Sequence, residues 1–127
     1  DFHINPTEEF FYQLEGDIKV TIQEDGKAVE IPIKQGEMFL LPAKVPHQPA
    51  RQAGSVGPVI ECKRETNEND GLMWFCEKCN NKLHEYKFQL TNIEKDFLPR
   101  FKDFYGSEEL RTCKKCGTVM EADPRFV

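Results

Sequence analysis

Hydrophobic and polar residues alternate along the first half of the chain in short runs that are separated by turn residues. In the clearest run, Ile18, Val20 and Ile22 alternate with polar neighbours, as expected for a strand with one buried face. Further extended runs lie at residues 9–14, 28–33, 38–41, 45–51 and 56–62. About six strands joined by tight turns, without helical periodicity, predict an antiparallel sandwich or barrel.

The second half of the chain has a different pattern. Residues 63–70 are polar and charged without a period, so they are predicted to form a linker, and residues 83–90 resemble part of a hairpin. One face of a helix is then indicated by four apolar residues at intervals of four, four and three: Ile93, Phe97, Phe101 and Phe104. We expect Pro99 to split this segment into two short helices and Ser107 to cap a further short helical turn.

Composition limits the size and the partners of the protein. With 127 residues, 39% of them hydrophobic and 31% charged, the chain can form one domain, or one domain with a small appended module. No apolar run approaches the roughly 20 residues of a membrane span, and no signal pattern is visible, so we expect a soluble cytoplasmic protein. Residues 1–62 carry 5 basic and 10 acidic side chains and residues 63–127 carry 12 of each, which argues against nucleic-acid binding.

The cysteines indicate a metal site. Four of the five form two C-x-x-C pairs, Cys76 with Cys79 and Cys113 with Cys116. Two such pairs can place four thiolates around one Zn²⁺ or Fe ion, and a closed four-thiolate site is more often structural than catalytic. We therefore predict a structural metal site in residues 71–127.

Two residues near this site receive simpler predictions. Cys62 lies outside both pairs and is expected to be a buried, unreactive thiol. His84 is expected to be a surface residue, because four sulfurs already complete the metal's coordination.

Two histidine-containing segments resemble the two cupin motifs, H-x-H-x₃₋₄-E-x₆-G and G-x₅-P-x-G-x₂-H-x₃-N. The first segment is residues 3–16 and the second is residues 36–51. Asn5 replaces the second His of the first motif, Lys44 replaces the Gly of the second, and Arg51 stands in the final Asn position.

The ligand positions of these motifs that keep a histidine or a carboxylate are occupied by His3, Glu9 and His47. Two histidines and one carboxylate form the facial triad that binds non-haem Fe(II) and leaves coordination positions open. His3 and Glu9 are six residues apart, an even spacing that places both on one face of a strand, although the intervening Pro6 weakens this argument.

A closer resemblance covers the whole chain. The runs H-I-N-P-T-E-E-F-F-Y-Q-L-E-G-D, F-L-L-P-A-K-V-P-H-Q-P-A-R, V-I-E, W-F-C-E-K-C and E-E-L-R-T-C-K-K-C-G occur in the order that is typical of bacterial 3-hydroxyanthranilate 3,4-dioxygenases. The resemblance implies a mainly β protein, a cupin (a double-stranded β-helix, or jelly-roll-like barrel) with a small C-terminal four-cysteine metal module of rubredoxin type. The modules would be residues 1–62, without the first cupin strands, a linker at 63–70, and residues 71–127.

The resemblance also implies an activity and a set of partners. The expected reaction is Fe(II)-dependent opening of the ring of 3-hydroxyanthranilate by O₂ to 2-amino-3-carboxymuconate semialdehyde, the precursor of quinolinate in NAD biosynthesis by the kynurenine pathway. The second metal would be Fe or Zn. We expect a homodimer, without a nucleic-acid or membrane partner.

Site roles follow from the same resemblance. The implied iron ligands are His3, Glu9 and His47, and the cysteine-site ligands are Cys76, Cys79, Cys113 and Cys116. Arg51 matches an arginine that binds the substrate carboxylate, Glu61 matches a carboxylate beside the substrate amine and hydroxyl, and Phe11 and Pro49 match apolar pocket residues. From the residues alone, a surface ion pair of Arg51 and Glu61 is the preferred interpretation, because this is the usual role of such residues. A second carboxylate-binding arginine of the family is expected upstream of Asp1.

Two other functions compete with this interpretation. One is a cupin that binds a small acid or a sugar without catalysis. The other is a zinc-ribbon interaction or nucleic-acid module with an attached β-domain, which the acidic first half of the chain disfavours.

Overall fold

The computed structural model describes residues 1–127 and contains nine β-strands, two α-helices and a final 3₁₀ turn. The strands are β1 (Phe2–Ile4), β2 (Glu9–Tyr12), β3 (Ile18–Glu24), β4 (Lys27–Ile33), β5 (Met38–Leu41), β6 (His47–Arg51), β7 (Val59–Glu61), β8 (Asp70–Phe75) and β9 (Lys82–Phe88). The helices are α1 (Ile93–Tyr105) and α2 (Glu108–Arg111), and the 3₁₀ turn is Pro124–Phe126. The predicted mainly β class is confirmed.

Two antiparallel sheets form the β-structure. The larger has the strand order β4-β3-β6-β1-β8-β9, and the smaller has the order β5-β2-β7. Phe11 and Leu41 of the small sheet pack with Ile18, Val20 and Ile33 of the large one in a buried apolar cluster. The sheets are therefore stacked layers, which is consistent with a cupin.

The hairpin of β3 and β4 illustrates why these residues form strands. Its strands pair in register from Ile18 opposite Ile33 to Glu24 opposite Lys27, so alternate side chains of each strand share one face. Asp25 and Gly26 form the connection with φ of 50° and 77°. A two-residue connection with both φ values positive matches the right-handed twist of the flanking strands.

A second apolar cluster holds α1 against β8 and β9. Trp74 is 1% exposed, and its ring stacks on Phe104 with a centroid distance of 4.2 Å. The indole Nε1 donates a hydrogen bond to the hydroxyl of Tyr105, 3.2 Å away. The aromatic residues that predicted the helix therefore face a hydrophobic sheet surface.

Helix α1 is continuous through Pro99, so the expected split into two short helices was wrong. Proline removes one intrahelical hydrogen bond and crowds the preceding turn. The guanidinium of Arg100 donates to the carbonyl oxygen of Asp96 in that turn, and Phe97 and Phe101 on either side of the proline both pack on the second cluster. Packing of one aromatic face thus keeps the segment in a single helix. The predicted cap at Ser107 is present, since its side chain accepts a hydrogen bond from the backbone N–H of Leu110.

The C-terminal half is joined to the cupin sheet. Strand β8 pairs with β1, with His3 opposite Leu72, and the Asn80 side chain exchanges two hydrogen bonds with the Gln23 amide. Asp70, placed at the end of the predicted linker, is the buried first residue of β8. The division into residues 1–62, 63–70 and 71–127 stays a prediction. None of the helices has the length and apolar character needed to cross a membrane.

Candidate metal centre and active site

Three predicted ligands from three different strands meet between the two sheets. His3 lies on β1 directly opposite His47 of β6, and Glu9 lies on β2. One ligand atom from each residue lies within 4.8 Å of the others, and His47 Nε2 is 3.4 Å from Glu9 Oε2. This spacing suits three donors directed at one ion.

Hydrogen bonds orient both imidazole rings. The Nδ1 atom of His47 is 3.0 Å from the carbonyl oxygen of Val45, so Nε2 is left to face Glu9. The Nε2 atom of His3 is 2.7 Å from Asp70 Oδ2, so Nδ1 is the ring nitrogen without a hydrogen-bond partner. Metal-ligating histidines characteristically use their second nitrogen in this way. Together with the carboxylate of Glu9, the donor set fits a divalent transition metal.

Glu9 is buried between charged and polar neighbours. Burial alone would raise its pKa, but the hydrogen bond and charge of His47, together with a hydrogen bond from the amide of Asn5, hold the pKa of Glu9 below its usual value. Glu9 is therefore an anion that can serve as a metal ligand.

A cavity of about 290 Å³ opens beside these three side chains. It is lined by His3, Glu9, Phe11, His47, Pro49, Arg51, Val59, Glu61, Arg64, Leu90, Ile93 and Phe97. All seven cupin residues singled out from the sequence lie in this wall. The structure thus brings the predicted ligands and the predicted substrate-side residues to one place, and their roles stay predictions.

The surface ion pair of Arg51 and Glu61, which is the preferred interpretation from the residues alone, is not formed. Arg51 is exposed at the cavity wall and makes no salt bridge with any carboxylate. Glu61 instead accepts a hydrogen bond from Arg64 Nη1 at 2.6 Å. The Arg51 guanidinium is therefore free to meet an anion from solution.

Sequence reasoning missed three polar residues that surround the ligands. Asn5 Nδ2 donates to Glu9 Oε1 at 2.8 Å and to Glu61 Oε2 at 3.1 Å. Arg64 and the buried Asp70 form a bidentate ion pair. Burial favours neutral Asp70, yet its hydrogen bonds with His3 and Arg64 hold the pKa of Asp70 below its usual value.

Only one of these three residues carried a usable sequence signal. Asn5 occupies a ligand position of the cupin motif, so a polar role near the metal was foreseeable. Arg64 and Asp70 lie in a charged stretch without a pattern and could not be distinguished from linker residues.

The C-terminal half also contributes an apolar wall that the sequence did not indicate. Leu90, Ile93 and Phe97 line the cavity, and the Phe97 ring lies 5.6 Å from the His3 ring between centroids. Their helical spacing predicted a buried face but gave no information about what that face contacts.

The four predicted cysteines form a second cluster, and their ligand atoms lie within 4.8 Å of one another. The Sγ atoms of Cys76 and Cys116 are 3.6 Å apart, as are those of Cys79 and Cys113. A tetrahedron with Zn–S bonds of about 2.3 Å has sulfurs about 3.8 Å apart. The cluster therefore fits a tetrahedral metal.

The two cysteine turns have matching backbone hydrogen bonds. In the first turn, the Cys76 N–H donates to the carbonyl of Asn81, and in the second the Cys113 N–H donates to that of Thr118. The residue after each pair has positive φ, 62° at Asn80 and 77° at Gly117. Equivalent turns aim both pairs of sulfurs at one point.

Two predictions about nearby residues were wrong. Cys62 is exposed rather than buried, because it follows the exposed strand β7 at the edge of the small sheet. His84 is half-buried rather than a surface residue, since its ring contacts those of Tyr86 and Phe104 at centroid distances of 4.5 and 6.4 Å. His84 is not part of the metal cluster.

Comparison with known proteins adds to this geometry. A family model described as 3-hydroxyanthranilic acid dioxygenase matches residues 1–105. A protein of Xanthomonas campestris pv. campestris (strain B100) named 3-hydroxyanthranilate 3,4-dioxygenase is 53% identical over 126 residues, which cover 99% of this chain and 72% of the relative. A protein of Bacillus thuringiensis (strain Al Hakam) with the same name is 44% identical over 121 residues, which cover 94% of this chain and 68% of the relative.

Proposed function

The chain belongs to the 3-hydroxyanthranilic acid dioxygenase family, and from that premise we propose how its residues perform the reaction. It is an oxidoreductase of the dioxygenase class, and its substrates are 3-hydroxyanthranilate and O₂. The observation that carries the mechanism is the meeting of His3, Glu9 and His47 in one cavity with the unpaired Arg51. A cupin that binds a small acid without catalysis is not favoured by this kinship.

The first part of the proposal is the metal. We assign Fe²⁺ to the cluster of His3, Glu9 and His47, because two imidazoles and one carboxylate are the ligand set of mononuclear non-haem ferrous enzymes. When bound, a ferrous ion supplies a site at which the hydroxyl and amine of the substrate meet O₂. The Asp70 and Val45 hydrogen bonds keep both imidazole rings aimed at that site.

The second part concerns substrate orientation. Arg51 presents a planar fork of N–H donors that matches a carboxylate bidentately, and no protein carboxylate competes for it. We assign it to the carboxylate of 3-hydroxyanthranilate. Phe11 and Pro49 supply apolar surface for the ring, and Phe97 adds an aromatic wall from helix α1.

The third part concerns the proton that leaves the substrate. Glu61 lies in the cavity wall on β7, directly opposite Glu9 of β2. We assign it as the base that accepts the hydroxyl proton when the substrate binds, a step for which a positioned carboxylate is suited. The product would be 2-amino-3-carboxymuconate semialdehyde, which leads to quinolinate and NAD biosynthesis.

The four-cysteine cluster is assigned a structural role. Four sulfurs leave no open coordination position, and the cluster is not part of the cavity wall. We propose that it binds Fe or Zn and holds the C-terminal segment together, so that α1 stays against β8 and β9.

We further propose a homodimer that forms through the outer face of the small sheet. Phe10 of β2 pairs with Leu40 of β5 and Ile60 of β7 in one row across the sheet. Leu40 and Ile60 are 53% and 62% exposed, and such an apolar row is typical of an interface. Light scattering should give a dimer for the wild type and a monomer for Leu40→Glu, and a monomeric wild type would contradict the assignment.

Cellular location and other partners also stay predictions. Free thiols that bind a metal favour a reducing compartment, and we therefore expect the cytoplasm. We expect no nucleic-acid or membrane partner, since neither half of the chain has a net positive charge.

The experiment that tests the function is anaerobic reconstitution with Fe²⁺ followed by addition of 3-hydroxyanthranilate and O₂. Oxygen consumption and the absorbance of the ring-opened product should rise together, one O₂ per substrate. Glu9→Gln keeps the shape of the side chain but removes its charge, so it should abolish turnover. Equal turnover by wild type and Glu9→Gln would contradict the proposed site.

A further inference from the structure

A buried carboxylate outside the predicted site touches one of its ligands. The Asp70 side chain is fully buried, and its oxygens lie 2.7 Å from His3 Nε2, 2.6 Å from Arg64 Nε and 2.8 Å from Arg64 Nη2. A buried carboxylate is costly unless its oxygens are paired and hydrogen-bonded. Here both oxygens are, so the geometry is specific rather than adventitious.

Arg64 extends this contact to the substrate side of the cavity. Its remaining terminal nitrogen, Nη1, donates to Glu61 Oε1 at 2.6 Å. The Arg64 side chain is only 13% exposed, whereas that of Glu61 is 41% exposed. The better-buried arginine is thus held on one side by Asp70 and itself holds the more exposed carboxylate on the other.

Asn5 closes the connection from the other direction. Asn5 Nδ2 donates to Glu9 Oε1 and to Glu61 Oε2. Asn5 Oδ1 accepts a hydrogen bond from the backbone N–H of Thr7 at 3.0 Å. The backbone bond fixes which end of the amide faces the carboxylates. Glu61 is therefore held through both oxygens, one by Asn5 and one by Arg64.

We propose that Asp70 and Arg64 are positioning residues, with Asp70 selecting the ring nitrogen that His3 offers to the metal and Arg64 holding Glu61 toward the substrate. This inference rests on the proposed function for the role of Glu61. The pair couples a candidate metal ligand to the proposed substrate-side base, with Asp70 outside the cavity wall and Arg64 within it. Removal of Asp70 should loosen the metal, and removal of Arg64 should act on turnover through Glu61.

The metal arm of the test needs neither substrate nor O₂. Co²⁺ or Fe²⁺ is titrated anaerobically into wild type and Asp70→Asn, with the cysteine-site metal counted separately. Loss of a partner of a metal-ligating histidine lowers metal affinity by roughly 10- to 100-fold, and we expect a weakening in this range with the cysteine-site metal retained. Unchanged affinity of a folded Asp70→Asn protein would overturn the assignment of Asp70.

The turnover arm is a double-mutant cycle of Arg64→Gln and Glu61→Gln. If Arg64 acts through Glu61, Arg64→Gln should lower kcat roughly 10-fold in the wild type and less than about 2-fold in Glu61→Gln, since residues that act as a unit are not additive. Arg64→Lys should recover part of the loss. Lys63→Gln removes a neighbouring exposed charge and should leave kcat unchanged.

The outcomes separate the inference from the function on which it rests. Equal factors for Arg64→Gln in both backgrounds would overturn the positioning role, even with full wild-type turnover. A Glu61→Gln protein with wild-type kcat would reject both the proposed base and Arg64 acting through it, while leaving the metal arm valid. If Asp70→Asn does not fold, Asp70→Glu, which keeps the charge but displaces the carboxylate by one methylene, takes its place in the metal titration, and an unchanged affinity would overturn the assignment of Asp70 in the same way.

Discussion

Replacement of Arg51 by Ala tests whether this side chain recognises the substrate carboxylate. Arg51 is exposed and makes no salt bridge, so its removal leaves no buried protein charge without a partner. The loss of transition-state stabilisation should therefore equal the net contribution of hydrogen bonds to a charged group, about 1.5–3 kcal/mol. This corresponds to a fall of roughly 10- to 150-fold in kcat/KM for 3-hydroxyanthranilate.

The size of the expected effect depends on the exposure of the Arg51 side chain. A fully buried clamp would contribute more, because a desolvated charge pair is not screened by water. Arg51 also lines a second groove, which Lys34 shares. Lys34→Ala removes the same charge without facing the metal cluster, which makes it a matched control.

The assay compares two substrates in steady-state kinetics. The second substrate is 2-aminophenol, which keeps the hydroxyl and the amine but lacks the carboxylate. Wild type and Lys34→Ala should have a higher kcat/KM for 3-hydroxyanthranilate than for 2-aminophenol. In Arg51→Ala the ratio of these two kcat/KM values should fall by roughly 10- to 150-fold, while the iron content stays unchanged. An Arg51→Ala protein with the wild-type preference would refute the assignment and show that another group recognises the carboxylate.

Four further predictions follow from the structure. His47→Ala should remove about one equivalent of iron and all turnover while the cysteine-site metal remains, and metal analysis showing equal loss from both sites would contradict separate sites. Cys113→Ser should remove the metal of the four-cysteine cluster and lower the melting temperature, because metal binding contributes to folding. The folded fraction of this variant should still open the substrate ring, and a stable but inactive variant would instead indicate a catalytic thiolate. Trp74→Ala should cost about 3–5 kcal/mol of unfolding free energy in urea titrations, since Trp74 is buried against Phe104, and a cost below about 1 kcal/mol would show that this contact is not part of the core. In metal-free protein, the pKa values of Glu9 and Asp70 are lower in the folded than in the unfolded state. The two carboxylates therefore stabilise the folded state above their unfolded pKa values near pH 4, and this stabilisation is lost as the pH falls through the folded values. The free energy of unfolding in urea, measured from pH 6 to 3, should show this loss, and the loss should be smaller in Asp70→Asn.

Local sequence patterns determined most of the strands. The alternation of Ile18, Val20 and Ile22 predicts β3 because a strand places every second side chain on the same face. The turn at Asp25 and Gly26 was predictable for a different local reason, since only a few residue types adopt positive φ readily. Such features depend on neighbours along the chain, which a sequence displays directly.

Helix α1 shows where local rules failed. Pro99 is unfavourable in an isolated helix, yet the helix continues because Phe97 and Phe101 pack on β8 and β9. The same limit applies to Cys62, whose exposure depends on an edge strand rather than on its own apolar character. Packing against distant elements outweighs the preference of a single residue.

The two candidate metal sites show the same division between what the sequence indicated and what the tertiary structure decided. The sequence by itself indicated both sets of candidate ligands, because the C-x-x-C pairs and the cupin motifs carry side chains with metal-binding donor atoms at characteristic positions. Only the tertiary structure decided which side chains surround those donors. Asp70 reaches His3 across 67 residues, and helix α1 completes the cavity wall from the other half of the chain. Contacts over such separations follow from sheet order and packing, which leave no periodic signature in the chain.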